Sequence, residues 1–122
     1  MYGAVGSSVT FTWSFTGVYR ITWGLKKAGL NDITALVSLD ETGMSPVTPP
    51  VPSEYIGRVN GTIIGSTSSG KATFTLTNLN KGDERSYGCN LTPSDFSGTK
   101  FDLVQLVVQG EYFVKRNGNC NC

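Results

Sequence analysis

The chain has 122 residues, 16 % of them charged, with a net charge of +1 and no histidine. This length suits one domain. The balanced charge lacks the clustered basic excess of a nucleic-acid binder, and the missing histidine removes His-based triads, His zinc sites and imidazole proton relays. No apolar run approaches the roughly 18 residues of a membrane-spanning helix, so no direct membrane insertion is expected. Met1 leads straight into Tyr2-Gly3-Ala4 without the basic start and apolar stretch of a secretion signal. It reads as an added start on an excised piece, a native cytoplasmic start being the other reading.

In chain order, Val9, Phe11, Trp13 and Phe15 alternate with Ser8, Thr10, Thr12 and Ser14, the period of a strand with one buried face. Ile21, Trp23 and Leu25 alternate with Thr22, Gly24 and Lys26; Ile33, Ala35 and Val37 form a third run. A connection rich in proline (Pro46, Pro49, Pro50, Pro52) precedes a fourth over Arg58 to Ile64. Ala72, Phe74 and Leu76 alternate with threonines, and Tyr87, Cys89 and Leu91 with Ser86, Gly88 and Asn90; Val104, Leu106 and Val108 close the pattern. Gly29-Leu30-Asn31, Ser68-Ser69-Gly70, Asn80-Lys81-Gly82 and Ser94 to Gly98 supply turns. Lys81 to Glu84 suits one short helical turn. The expectation is an all-β sandwich or barrel over residues 1–109, with 110–122 a linker, the start of another module or a disordered tail.

The segment Asp83-Glu84-Arg85-Ser86-Tyr87-Gly88-Cys89 resembles the Asp-x-(Gly/Ala)-x-Tyr-x-Cys entry into strand F of an immunoglobulin V-set domain. Trp23 stands where that family keeps its strand-C tryptophan, and Ala72 to Leu79 looks like strand E and its exit. The resemblance covers Ala4 to Gln109. It implies an immunoglobulin-like two-sheet β-sandwich, an ion pair between Asp83 and Arg58, and a corner hydrogen bond from the Tyr87 hydroxyl.

Strand B departs from the pattern. Gly6 to Thr12 leads into Trp13 where the family has cysteine, so the B–F disulfide cannot form. Such a bridge is typically worth about 2–5 kcal/mol. A buried indole removes roughly 150–250 Å² from water, or about 4–6 kcal/mol before entropy. Trp13 packing on Trp23 and Cys89 would therefore offset the loss, provided its N–H finds an acceptor. Cys89 becomes a buried thiol acting as a small apolar residue. The other cysteines, Cys120 and Cys122, are expected to pair elsewhere in the intact protein.

Together with Trp23-Gly24-Leu25 and Pro52 to Val59, these features are similar to V-set-like domains of cnidarian surface proteins, including allorecognition ectodomains of colonial hydroids. That resemblance implies an extracellular ectodomain of a single-pass membrane protein, binding the same protein on an opposing cell through the G-F-C-C′ sheet and adjacent loops. Outward Thr22, Gly24 and Lys26 on C and Gly88 on F are the expected contacts, the glycines leaving a flat face that a partner's backbone can approach. Tyr19, in a loop beside Gly17, and Phe96 are expected aromatic anchors. The other reading is an immune-type receptor domain for a soluble, microbial or carbohydrate ligand at the loop end.

Asn60-Gly61-Thr62 and Asn90-Leu91-Thr92 are N-glycan acceptors; a glycan on Asn90 would partly cover the contact face, so Asn90 is expected to be unmodified or the contact to lie toward C′ and the loops. Phe96-Ser97-Gly98-Thr99 is similar to the strand-G opening of antigen receptors but reads as a plain hairpin turn. Asp32, Asp40, Glu41, Asp95 and Asp102 read as solvated charge, without the spacing of a Ca²⁺ loop. No cofactor or metal is implied, and no catalysis, since no nucleophile–base pair can be named.

Overall fold

The computed structural model describes residues 1–47 and 50–110. Ten strands follow one another: β1 (Tyr2–Ala4), β2 (Val9–Thr16), β3 (Val18–Lys26), β4 (Ile33–Asp40), β5 (Gly43–Ser45), β6 (Val59–Gly65), β7 (Ser69–Leu76), β8 (Ser86–Pro93), β9 (Lys100–Gln105) and β10 (Val107–Gln109). Two 3₁₀ turns, Ser53–Tyr55 and Lys81–Asp83, punctuate them. One sheet has the order β2-β7-β6 and the other β5-β4-β3-β8-β9, while β1 pairs with β10 in parallel. The expected two-sheet sandwich is present. β5 and β1 are short, exposed additions that the apolar alternation does not mark.

The core lies between the sheets and is aromatic. From one sheet come Phe11 and Phe74, from the other Trp23 and Tyr87, all almost wholly buried. The Trp23 indole lies nearly parallel to Phe74 (5.7 Å, 15°) and to Tyr87 (5.5 Å, 12°). Its Nε1 is buried without a hydrogen-bond partner among the described residues. That costs about 1–3 kcal/mol, less than the roughly 4–6 kcal/mol from burying the ring.

Trp13 departs from expectation. It is half-buried, packed against the edge of the core through Phe11 and Phe74 and not stacked on Trp23. Phe11 and Phe74 each make ring contact with both indoles and so stand between them. The Trp13 Nε1 donates to Asp102 Oδ2 at 2.7 Å. Asp102 lies opposite Cys89 in the β8–β9 register; its exposed carboxylate, solvated as expected, also reaches the other sheet. A polar link from β2 to β9 thus joins the sheets beside a thiol that has no disulfide partner among the described residues. Burial, and then the charge of Asp102, push the Cys89 thiol up to about 12. Cys120 and Cys122 lie outside the described residues.

At the lower end, Asp83 is buried and accepts from Arg58 and from the Asn80 amide (3.0 Å). The Arg58 guanidinium also donates to the Thr77 (3.2 Å), Glu54 (2.7 Å) and Asn78 (3.2 Å) carbonyls. The Tyr87 hydroxyl donates to the Asp83 carbonyl at 2.7 Å and takes a hydrogen bond from Tyr55 at 3.1 Å.

Three outcomes are expected. Arg58→Met, which removes the donors to all four acceptors, destabilises by about 3 kcal/mol or more, because a buried carboxylate loses its partner; Tyr87→Phe costs about 1–3 kcal/mol. Urea unfolding would order the two. The raised Cys89 pKa keeps the thiol protonated in the folded state across pH 7–9, where a free cysteine forms thiolate. In the Cys120→Ser/Cys122→Ser variant, which leaves Cys89 as the one thiol, alkylation should then be negligible until denaturant is added; rapid labelling of that folded variant at pH 8 would contradict the burial.

Candidate functional site

β2 and β3 are joined by Gly17 alone, at φ +70°. Its N–H donates to the Ser68 carbonyl and its carbonyl accepts from Ser94 N–H, both at 2.9 Å. No loop of useful length exists here, so Tyr19 is a strand residue and not the loop residue expected. It still reaches the loop end. Tyr19 is 50 % and Phe96 66 % exposed, and their ring centroids are 5.1 Å apart. Phe96 sits in the β8–β9 hairpin at φ +56°, a left-handed conformation costly for an aromatic residue and found preferentially at functional sites. The Pro93 carbonyl accepts from Phe96 N–H at 3.0 Å, and Asp95 accepts from Ser97 N–H at 2.9 Å, which hold the turn.

Arg20 extends the aromatic pair, its guanidinium 5.7 Å from the Tyr19 ring centroid and 3.7 Å from Asp40. The hydroxyls of Ser45 and Thr42, the Thr42 amide and then Arg20 hold the Asp40 carboxyl down to about 2. Asp40 therefore stays ionised at every physiological pH and ties the β4–β5 turn together. Between Tyr19, Glu41, Thr42, Thr67 and Ser94 lies a cleft of about 260 Å³.

The outer face of the five-stranded sheet carries the remaining candidates. Thr22 lies opposite Asn90 and Gly24 opposite Gly88. The Thr22 hydroxyl bonds that of Ser38 at 3.0 Å, and Asn90 Nδ2 donates to Asp32 at 3.5 Å. Lys26 is half-buried with its ammonium on the Lys27 carbonyl. It stands seven residues along β3 from Tyr19, roughly 23 Å at strand rise. The candidates thus divide into a loop-end group and a mid-sheet group.

The expected flat glycine face is corrected. Gly24 and Gly88 are both buried. A Cβ on Gly24 would come within 2.0 Å of the Thr34 carbonyl oxygen, because β4 slips register there and its backbone closes over β3. A Cβ on Gly88 would meet the Ile33 side chain at 2.7 Å and the Phe101 ring at 2.9 Å. Both glycines serve internal packing, and side chains already fill the space.

The sequence pattern did not mark Arg20, Phe101 or Leu103 as site residues. A signal existed for the last two: Phe101 and Leu103 alternate out of phase with the inward Val104, so β9 is apolar on both faces. Asn60 is exposed on the outer face of the other sheet, and Asn90 is half-buried on this one. Among the described residues, no group of three or more His, Cys, Asp or Glu could hold a metal ion.

No family model matches the chain, and no curated protein matches its sequence. Solved structures do match in shape. The chain is similar to Tim-1, at 21 % identity over 90 % of each chain with a TM-score of 0.66. It is similar to Tim-2, at 19 % identity over 90 % of this chain and 97 % of that one, with a TM-score of 0.65. A third is the NK cell receptor NKp44, described as a triggering partner in natural cytotoxicity, at 20 % identity over 89 % and 95 % of the two chains and a TM-score of 0.62. At such identities the likeness is one of fold, and the chain has the fold of an immunoglobulin-like β-sandwich of the V-set type, lacking the B–F disulfide.

Proposed function

We propose that this domain is an extracellular recognition module, part of a single-pass membrane protein, that binds a protein partner: another copy of itself on an opposing cell, in adhesion of the allorecognition kind. Contact runs through the loop end and the adjoining outer face of the five-stranded sheet. The observation that carries this is the Tyr19–Phe96 pair. Two large rings exposed side by side, one on a strained backbone, are what an interface anchor needs before it meets its partner. Arg20 beside them supplies a charge-paired rim. Structural neighbours that include an NK cell receptor support a surface-receptor reading.

The glycan acceptors fit this division. Asn60 faces away from the contact surface, so a glycan there leaves it bare. Asn90, tied to Asp32 on the contact face, stays unmodified in this reading. The module performs no catalysis and uses no cofactor.

A second reading is favoured by the cleft below Tyr19. Its walls offer an aromatic ring, the hydroxyls of Thr42, Thr67 and Ser94, and the Glu41 carboxylate. Such a lining suits a carbohydrate or small microbial ligand held against the ring.

Beads coated with the chain are expected to clump, and the double variant Tyr19→Ser/Phe96→Ser to lose that clumping without a change in Tm. Truncating an anchor of this kind costs about 2 kcal/mol, or about 30-fold in Kd. Undiminished clumping of the double variant would remove the anchors from the interface. Signal on a glycan array, without clumping, would move the assignment to the cleft.

A further inference from the structure

β9 is the terminal strand of its sheet, and among the described residues no strand pairs with its free edge over Lys100–Gln105. β1 covers only the following segment, from Val107 onward. The direction of the backbone groups follows from that junction. From the free side, the Met1 amino group donates to the Gln105 carbonyl (3.2 Å) and Val107 N–H donates to the Met1 carbonyl (2.9 Å). Leu106 N–H turns the other way, to the Arg85 carbonyl before β8 (2.9 Å). Strand alternation then points the N–H and C=O of Phe101 and Leu103 outward, away from β8. Outward backbone groups on an open edge are a template for another strand.

The sequence along this edge is complementary to itself. In an antiparallel pairing centred on Phe101, that residue stands opposite Phe101 of a second copy. Lys100 then faces Asp102, and Asp102 faces Lys100, so both charges are matched on one face of the joined sheet. On the other face Leu103, 45 % exposed in the single chain, is covered opposite Thr99. A register centred on Asp102 would set carboxylate against carboxylate, and one centred on Leu103 would leave both charges unmatched; opposite-charge and aromatic cross-strand pairs favour the first. Asp102 accepts from Trp13 through Oδ2, which leaves Oδ1 for the lysine.

We propose that two copies associate by antiparallel β9–β9 pairing centred on Phe101, fusing their five-stranded sheets into one of ten strands. This rests on the homophilic reading above and adds to the loop-end contact a second one at the sheet edge. Because the paired strands run in opposite directions, the two β10 strands leave at opposite ends of the dimer, as copies on apposed surfaces require. A single strand pair is a small contact, and many such contacts across two cell surfaces gain strength by avidity.

Charge reversal in the 122-residue chain tests the register. Beads bearing Lys100→Asp, and beads bearing Asp102→Lys, should each fail to clump alone, with at least a tenfold loss of self-association in sedimentation. Mixed together the two should clump, since each then meets the opposite charge; this rescue also requires that both variants fold. Should Asp102→Lys not fold, Leu103→Pro, which removes an outward amide that β8 does not use, must abolish self-association by itself. Parent and variants clumping alike would overturn the edge pairing and leave homophilic binding standing. A parent chain that neither clumps nor dimerises would overturn both.

Discussion

Trp23 lies flat between Phe74 of one sheet and Tyr87 of its own, with Phe11 tilted against both Trp23 and Tyr87. Everything else in the sandwich is arranged around that column. Aromatic faces in offset contact are worth about 0.5–1.5 kcal/mol per pair beyond the area they bury. The column spans the gap that relatives of this fold close covalently, and the Trp13–Asp102 hydrogen bond adds a directional tie at the flank. The sheets are therefore held here by packing and a charged acceptor, and Cys89 fills volume.

The second fixed point is Asp83. A carboxylate this deeply buried is tolerable only when its hydrogen bonds are complete. Arg58 and the Asn80 amide complete them, while the Asp83 carbonyl anchors Tyr87. One residue thus connects the start of β6, the turn after β7 and the entry to β8. With that end rigid and the aromatic column above it, the opposite end can carry exposed rings and a strained Phe96 without endangering the fold.

Much of this was legible in the sequence. Alternation of Phe11, Phe15, Ile21, Trp23, Phe74 and Leu76 with polar residues marks the inner faces, because a half-buried strand has no other way to separate core from water. The Asp83-to-Tyr87 spacing is legible because a corner bond spans a fixed short distance. Trp13 was misplaced because alternation gives the direction of a side chain but not its depth: it points inward, yet β2 is an edge strand. Gly24 and Gly88 look like open surface in the sequence because a glycine says only that something comes close, and here the neighbours are Thr34, Ile33 and Phe101 of the same chain. The approach of Tyr19 to Phe96 joins residues 77 positions apart and depends on a register that no local pattern sets.

Gly17 bears on how such a domain can diversify. Its amide and carbonyl are both committed, to Ser68 and Ser94, and a Cβ would strike the Ser94 hydroxyl. An insertion here would break two backbone bonds and part the strands on either side, so this junction is closed to change in length. Beyond Ser94 the β8–β9 hairpin is held by its own Asp95 turn and by the contact of exposed Phe96 with Tyr19, so it can lengthen or vary at its tip without breaking the Gly17 junction. Any repertoire of binding specificities on this scaffold would accumulate in that one hairpin, over the rigid ledge that Gly17 provides.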